Sequence, residues 1–295
     1  MEIIETSDAL FQGFLPKREE WTSKFDYGRA VLLGGSKDYG GAPLLSLSAL
    51  SSLRLGAGFA TLYVPEPLYG YYVGRDPQII VQPFPSKDGN LVYQEKAVRK
   101  IMNKTTAIAL GMGVTGFEET ARILLRLFTS YEGYLIVDAG GLTALAMLDA
   151  NYLNMAVPKI ILTPHTGEFS RLIGLPREEI EKDPIRYAVE YARMHHVTLI
   201  LKGHESIITD GTEVYRNKTG NTGLAKAGSG DLLSGILCGI FAQHIDQSDV
   251  KKAAFGQYLL GKAADLLLAE QSEYSILAED IIRSLPKALE PCIQK

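Results

Sequence analysis

Residues 220–231 read GNTGLAKAGSGD, and a run of apolar residues at helical spacing follows directly. Three of the glycines, Gly223, Gly228 and Gly230, let the backbone turn tightly and approach a ligand closely. The helix that follows presents unpaired N–H groups and the positive end of its dipole. The stretch therefore predicts an anion-binding loop at a helix N-terminus, the kind of loop that holds a phosphate group. Residues 220–230 form this predicted anion loop.

The stretch ends in Asp231, which falls in the first turn of the predicted helix. The helix dipole favours an ionised carboxylate there, and such a carboxylate can accept a proton from a substrate hydroxyl. Gly228, Ser229 and Gly230 form the predicted anion cradle beside it. A glycine-rich turn whose aspartate only caps the helix, for about 0.5 to 2 kcal/mol, accounts for the same residues. The stretch alone leaves both interpretations open.

Composition and charge indicate a cytoplasmic protein with a small-molecule ligand. The chain has 295 residues, 46% of them hydrophobic, which suffices for a large core, in one large domain or two small ones. Its net charge of −4 argues against nucleic acid or an anionic membrane as a partner. Cys238 and Cys292 lie far apart, so neither a disulfide framework nor a zinc site is predicted. The N-terminus is acidic, and no apolar run approaches the ~20 residues of a membrane helix.

Short apolar, β-branched runs alternate with longer stretches of helical spacing, which predicts a mostly parallel sheet with helices on both faces. After Lys202 the pattern changes, because two short runs flank Asp210-Gly211, a two-residue hairpin signal that predicts an antiparallel edge. No linker divides the chain, so we expect residues 1–295 to form a single domain. The predicted strands are 30–33, 59–64, 78–81, 107–110, 134–137, 159–162 and 197–201, and the predicted helices include 42–55, 118–129, 184–195 and 251–268.

Turn-forming residues follow four of the predicted parallel strands. They occupy residues 34–36, 111–113, 138–141 and 163–167. In open parallel sheets, ligands bind beyond the carboxyl ends of the strands. We therefore expect these four loops to converge on one crevice.

With these segments in order, the chain resembles the ADP-dependent NAD(P)H-hydrate dehydratases of the ribokinase-like superfamily over about residues 15–285. The resemblance rests on GGSKDYGGAPL at 34–44, LGAG at 55–58, TPHTGE at 163–168 and the run at 220–231. It implies a ribokinase-like three-layer αβα sandwich, with a mostly parallel sheet and an antiparallel edge. It also implies repair of nicotinamide cofactors: the S form of NADH or NADPH hydrate loses its water while ADP becomes AMP and phosphate.

The resemblance implies that Asp231 takes the proton from the ring hydroxyl as this hydroxyl attacks the terminal phosphoryl group of ADP. Phosphorylation helps because hydroxide, whose conjugate acid has a pKa of about 15.7, is a poor leaving group, whereas phosphate has a second pKa of about 6. The other implied contacts are Ala42, Gly113 and His165 to the hydrate, and Lys202, Gly203, His204, Glu205, Ser206 and Gly230 to the adenine nucleotide.

Simpler roles stay open for two of these residues, since His165 could merely bond nearby backbone and Lys202 could be an ordinary solvated cation. Glu168 is similar to the acidic residue with which ribokinase-like enzymes organise magnesium-bound water near the phosphates, which implies Mg²⁺ as a cofactor.

The chain also departs from the family's usual DADALN, because residues 138–143 read DAGGLT, with Gly140 and Thr143 in place of an acid and an asparagine.

The resemblance also bears on partners. It implies a homo-oligomer, by resemblance a tetramer, and a separate epimerase for the R and S hydrates, because we expect no room here for the fused epimerase domain of many relatives.

Two other functions stay open: a kinase of a vitamin precursor, and a non-catalytic nucleotide-binding protein. GGAP at 40–43 and PHTGE at 164–168 favour the dehydratase over the kinase, and Asp231 within an intact anion loop counts against a pure binding protein.

Overall fold

A ten-stranded sheet forms the centre of the protein. The structure is a computed structural model that describes residues 2–39 and 44–294, with the backbone alone for residues 44–47. The strands are β1 (Ile3–Glu5), β2 (Arg29–Leu33), β3 (Phe59–Pro65), β4 (Ile80–Phe84), β5 (Ser86–Lys87), β6 (Asn90–Leu91), β7 (Ala107–Leu110), β8 (Tyr134–Val137), β9 (Lys159–Leu162), β10 (Thr198–Leu201), β11 (Ser206–Thr209) and β12 (Val214–Asn217). The large sheet has the spatial order β1-β12-β11-β10-β9-β8-β7-β2-β3-β4, and β5 and β6 form a separate small hairpin.

Helices connect most of the strands. The predicted helix at 184–195 is observed at the same residues, and those predicted at 118–129 and 251–268 differ by one or two residues at their ends. Within the described ranges, no helix is both long and apolar enough to cross a membrane. The helices are α1 (Asp8–Phe11), α2 (Leu44–Arg54), α3 (Tyr69–Tyr72), α4 (Glu95–Met102), α5 (Phe117–Phe128), α6 (Gly140–Leu145), α7 (Asn151–Asn154), α8 (Thr166–Ile173), α9 (Arg177–Ile180), α10 (Pro184–His195), α11 (Ser229–Ala242), α12 (Asp249–Leu267) and α13 (Ala278–Leu289).

The sheet separates two hydrophobic cores, because successive side chains of a strand point to opposite faces. In β2, Ala30 and Leu32 pack into a core with α2, α11, α12 and α13, whereas Val31 and Leu33 pack into a second core with α4, α5, α8 and α10. The predicted αβα sandwich with a mostly parallel sheet is confirmed. Both cysteines are free, buried thiols.

The parallel part of the sheet runs from β4 to β10, and β11 and β12 continue it as antiparallel strands. The predicted antiparallel strands are confirmed, and beyond them β1 pairs with β12 in parallel and forms the outermost strand. Three residues are too few to show a strand period in the sequence. The strand predicted at 78–81 is observed at Ile80–Phe84, at the other edge, where Pro83 is tolerated.

The turn between β11 and β12 is longer than the Asp210-Gly211 signal predicts. Thr209 pairs with Val214, so four residues form the connection. Asp210 stabilises this turn, since its Oδ1 accepts hydrogen bonds from the backbone N–H groups of Thr212 and Glu213, at 2.8 and 2.9 Å. A side-chain acceptor therefore replaces the tight backbone turn that the dipeptide suggested.

Strained backbone follows β8. Ala139 has φ of 46° and ψ of −120°, a conformation that residues with a Cβ rarely adopt. The turn is held on both sides, because Gly141 N donates to the carbonyl of Asp138 at 2.8 Å and Gly140 N donates to the carbonyl of Gly111 at 3.1 Å. This turn sends the chain from β8 directly into α6 and presents Asp138 at the end of the strand.

We expect the substitution Ala139→Gly to raise the free energy of unfolding by about 1 kcal/mol, because glycine adopts positive φ without the Cβ penalty. Urea denaturation measures the change. The matched control is Ala121→Gly inside α5, where the same substitution should lower the free energy of unfolding by about 1 kcal/mol. Destabilisation of similar size in both variants would contradict the assignment of strain to Ala139.

Candidate active site

The loops predicted to converge lie along one edge of the sheet, beyond the carboxyl ends of the parallel strands. Backbone bonds continue the strand register into these loops: Asp138 N donates to the carbonyl of Leu110 at 3.1 Å, and Lys202 N donates to that of Pro164 at 2.8 Å. His165 and Lys202 form an isolated parallel bridge beyond β9 and β10. The register therefore brings residues from distant parts of the sequence to neighbouring positions.

An ion pair lies at the centre of this edge. The Lys202 ammonium donates to Asp138 Oδ1 at 2.8 Å and lies 3.9 Å from Glu168 Oε2. The second carboxylate oxygen of Asp138 accepts a hydrogen bond from the Ser234 hydroxyl at 2.8 Å. Because the Asp138 side chain is almost fully buried, both of its oxygens need partners, and it has them. Asp138 thus connects β8 to β10 and to the start of α11.

Asp231 lies beside this ion pair in the first turn of α11, as predicted. Burial raises the pKa of its carboxyl group from 3.8 to about 6; the negative charge of Asp138 adds to this rise, and Lys202 opposes it. The helix dipole was expected to favour the ionised carboxylate, whereas burial and the charge of Asp138 act in the opposite direction. A pKa of about 6 leaves the carboxylate mostly ionised at neutral pH and makes it a stronger base than an exposed aspartate.

The Lys202 ammonium is the positive counterpart of these carboxylates. Burial by itself would lower the pKa of Lys202, but the charges of Asp138, Glu168 and Asp231 outweigh burial and raise this pKa. Lys202 is therefore a protonated, partly buried cation. It is not the ordinary solvated cation that its sequence position alone allowed. The Lys202 ammonium thus offsets part of the negative charge of three carboxylates beside the anion loop.

The anion loop is anchored from two sides. Gly228 caps α11 with φ of 104°, a left-handed conformation suited to glycine. At the start of the loop, Gly220 N donates to the carboxylate of Asp265 at 2.8 Å. The Lys226 ammonium donates to the carbonyls of Tyr274 and Ile276, at 2.7 and 2.8 Å. Asp265 and Lys226 are therefore supporting residues that the sequence analysis missed.

His165 and Glu168 form a capping box at the start of α8. His165 Nδ1 accepts hydrogen bonds from the N–H groups of Gly167 and Glu168, at 3.0 and 3.3 Å, and Glu168 Oε2 accepts one from His165 N at 2.9 Å. Burial, together with nearby cations such as Lys202, lowers the pKa of His165. The imidazole is thus neutral and occupied in part by backbone, as the simpler alternative for His165 held, while half of its surface stays exposed.

Residues 202–206 are the predicted nucleotide segment. Of these, Lys202 alone belongs to the charged cluster that it forms with Asp138, Glu168 and Asp231. Gly203, His204 and Glu205 are exposed, and the Glu205 carboxylate lies 3.4 Å from the guanidinium of Arg216. The Ser206 hydroxyl lies 3.4 Å from the carbonyl of Gly203, so it closes its own turn. Gly230 lies directly above the ion pair, since a Cβ at this position would be 3.5 Å from Lys202 Nζ and 3.6 Å from Asp138 Oδ2.

The residues predicted to contact the hydrate belong to other loops at the carboxyl ends of the parallel strands. Ala42 lies outside the described residues. Gly113 follows β7 in a loop that meets the loop after β2, where Gly35 N donates to the carbonyl of Met112 at 2.7 Å. At Gly140, where the family has an acid, a Cβ would lie 2.2 Å from the carbonyl of Val114. The backbone observed here therefore has no space for a side chain at position 140, whereas Thr143 is partly buried in α6.

Among the residues that the structure describes, no group of three or more histidine, cysteine or acidic side chains could hold a metal ion by itself. Asp138 and Glu168 nevertheless place two carboxylates near Lys202, at 2.8 and 3.9 Å from its ammonium. Mg²⁺ often binds through one or two carboxylates, phosphate oxygens and water. Two carboxylates fit a magnesium ion whose remaining ligands are phosphate oxygens and water.

We expect Asp231→Asn to stabilise the fold at alkaline pH. The pKa of Asp231 is raised in the folded state, so the native fold favours the protonated form; this contribution is complete below pH 4 and disappears as the pH rises through about 6. Asparagine removes the penalty of ionisation, which is at most about 3 kcal/mol from a shift of roughly 2 pKa units. Denaturation between pH 4 and pH 8 should show the two proteins diverging as the pH increases.

The control for this experiment is Asp138→Asn. It also removes a carboxylate, but it leaves the Lys202 charge without its main partner and should therefore destabilise the protein at pH 8. A variant at position 231 that is no more stable than the parent at pH 8 would show that Asp231 carries no penalty of burial.

This chain is similar to proteins of known function over most of its length. Residues 30–287 match the NAD(P)H-hydrate dehydratase family. The ADP-dependent (S)-NAD(P)H-hydrate dehydratase of Bacillus subtilis is 33% identical over 275 residues, which cover 92% of this chain and 93% of that protein. The bifunctional NAD(P)H-hydrate repair enzyme Nnr of Moorella thermoacetica is 33% identical over 279 residues, which cover 93% of this chain and 52% of that protein. The chain thus spans about half the length of the bifunctional relatives that it matches.

A solved structure extends the likeness to three dimensions. The crystal structure of the ADP/ATP-dependent NAD(P)H-hydrate dehydratase from Bacillus subtilis, co-crystallised with ATP and Mg²⁺, matches with a TM-score of 0.82 at 30% identity. The alignment covers 99% of each chain. From its sequence and its fold together, this chain belongs to the NAD(P)H-hydrate dehydratase family.

Proposed function

We propose that this protein is an ADP-dependent (S)-NAD(P)H-hydrate dehydratase that repairs hydrated nicotinamide cofactors. The observation that carries the proposal is Asp231, a carboxyl group whose pKa is raised to about 6, in the helix turn that follows the anion loop. A base is thereby adjacent to a site for a phosphoryl group. The Bacillus subtilis relative, which this chain matches over nearly its whole length, supports the choice of substrate.

The proposed reaction has two steps. Asp231 accepts the proton of the ring hydroxyl while the hydroxyl oxygen attacks the terminal phosphorus of ADP, and the bond from that phosphorus to AMP breaks. The ring nitrogen then donates its lone pair as the carbon–oxygen bond breaks, phosphate leaves, and loss of the neighbouring ring proton restores NADH or NADPH. Phosphate leaves more readily than hydroxide because it is the much weaker base.

The anion loop and Lys202 would stabilise the charge on the phosphoryl group in transfer. Backbone N–H groups at Gly228, Ser229 and Gly230 belong to the N-terminus of α11, where intrahelical acceptors are lacking. Such fixed dipoles and charges provide much of the catalysis of phosphoryl transfer. In this proposal Lys202 shares its charge between Asp138 and the nucleotide phosphates, and His204, Glu205 and Ser206 lie along the nucleotide.

The proposal includes Mg²⁺, with Glu168 acting through a water molecule. A magnesium ion supplies positive charge that neutralises the phosphates. Ala42, Gly113 and His165 remain our predicted contacts to the hydrate. The Nε2 atom of His165 makes no backbone contact and lies 3.5 Å from Glu168 Oε1. The cytoplasmic location, the single domain, the homo-oligomer and the separate epimerase likewise stay predictions.

The decisive experiment combines the protein with NADH hydrate, Mg²⁺ and either ADP or ATP. We expect the absorbance of reduced nicotinamide to return while AMP and phosphate form in equal amounts from ADP. A persistent phosphorylated product would instead support the vitamin-precursor kinase, and absence of hydrate-dependent ADP consumption would support a nucleotide-binding protein without catalysis.

Asp231→Asn should lower turnover by at least about 10²-fold, because general-base catalysis contributes about 10²- to 10⁴-fold, while ADP still binds. Asp246→Asn, an exposed aspartate remote in sequence from the anion loop, is the matched control and should retain the parental rate. Near-parental turnover of the Asp231 variant would remove Asp231 from the base role.

Gly230→Ala tests the nucleotide position. The protein accommodates the added methyl group at ordinary contact distances, so the variant should fold normally. The methyl group would nevertheless point toward the charged pair, where the proposal places phosphate, and we expect ADP binding to weaken by about tenfold or more, measured by calorimetry. Gly70→Ala, in exposed surroundings with no atom within 4 Å of the new Cβ, is the control and should bind ADP normally.

A further inference from the structure

Helices α2 and α11 lie unusually close together. At Gly235 of α11, an added Cβ would be 2.0 Å from the carbonyl oxygen of Ser48 in α2, and at Gly239, one turn later, it would be 2.6 Å from that of Ser52. The two backbones therefore touch directly, with space for hydrogen alone at positions 235 and 239. Such contact fixes the register and the separation of the two helices.

Two serine hydroxyls connect the helices at the same spacing. The Ser48 hydroxyl donates to the carbonyl oxygen of Asp231 at 2.5 Å, and the Ser52 hydroxyl donates to that of Gly235 at 2.7 Å. At the far end, the Gln243 amide donates to the carbonyls of Leu55 and Gly239, both at 2.8 Å. We call the bonds of Ser48 and Ser52 the serine ladder.

The first bond of the serine ladder ends on the backbone of Asp231 itself. Ser48 is fully buried, so its hydroxyl group has no water to bond in place of that carbonyl. The Asp231 carboxylate belongs to the same residue and lies near Asp138 and Lys202, whose charges act on it. A shift of the first turn of α11 would therefore move this carboxylate relative to the anion loop.

We propose that Ser48 is a positioning residue for Asp231: its hydroxyl, on a helix held against α11 at Gly235 and Gly239, fixes where the carboxylate of Asp231 lies. The inference rests on the proposed role of Asp231 as the base. Ser48 reaches the reaction only through the backbone of Asp231, and a base displaced by a fraction of an ångström from the hydroxyl that it serves transfers the proton less well.

The chain provides a matched pair for the test. Ser48→Ala and Ser52→Ala each remove one buried hydroxyl from α2 and one bond to a carbonyl of α11, but the first bond alone ends on Asp231. The two variants should lose similar thermal stability. We expect Ser48→Ala to lower kcat by about tenfold with KM for ADP within about twofold of the parent, and Ser52→Ala to leave both within about twofold. Ser48→Cys, with a weaker donor of similar size, should fall between the parent and Ser48→Ala.

Equal losses of kcat in the two alanine variants, in proportion to their stability, would overturn the proposal and leave Ser48 with a packing role alone. Amide hydrogen exchange gives a second measurement that needs no substrate. Residues 231–235 should exchange at least about tenfold faster in Ser48→Ala than in Ser52→Ala, and similar exchange rates would likewise overturn the proposal. If the parent protein itself fails to act on NADH hydrate, the proposed function fails, and hydrogen exchange still decides whether Ser48 holds this turn.

Discussion

The buried pair of Lys202 and Asp138 is the interaction on which the arrangement of the site depends. A charged ammonium and a carboxylate remain in a mostly buried place only when each has partners, and here they lie 2.8 Å apart at the ends of two strands. Ser234 adds a hydrogen bond from α11 to the same carboxylate. One side chain, Asp138, thereby fixes the positions of β8, β10 and the helix that begins with the anion loop.

The surroundings of this pair disfavour two features of the site, and both lower the free energy of unfolding. Burial raises the pKa of Asp231 and the nearby charge of Asp138 adds to this rise, so a second carboxylate is held where its ionised form is disfavoured. The residue after Asp138, Ala139, occupies a backbone conformation that disfavours a side chain. Strain and unfavourable charge at one turn are typical of sites where the surrounding fold fixes the geometry. The stable αβα sandwich with its two cores supports that geometry here.

Much of this architecture could be predicted from the sequence, because buried parallel strands and amphipathic helices have clear periods. The start of α11 and the place of Asp231 in its first turn could be predicted as well, since glycine spacing before an apolar helix is a local signal. Contacts between distant residues have no such signal: nothing around Asp138 indicates that it pairs with Lys202, and nothing in α12 marks Asp265 as a support of the loop. His165 follows Pro164 whether it contacts the substrate or bonds nearby backbone. The sequence therefore does not indicate that its ring accepts a hydrogen bond at the start of α8.

The contact between α2 and α11 has an evolutionary consequence. A methyl group at position 235 would overlap the backbone at position 48, and one at position 239 would overlap that at position 52. A change at either glycine is tolerable only if the opposite helix moves away, and such a movement also breaks the serine bonds. Positions 48 and 235, and positions 52 and 239, should therefore diverge as linked pairs among homologous sequences, whereas the exposed side of α13 is free to drift.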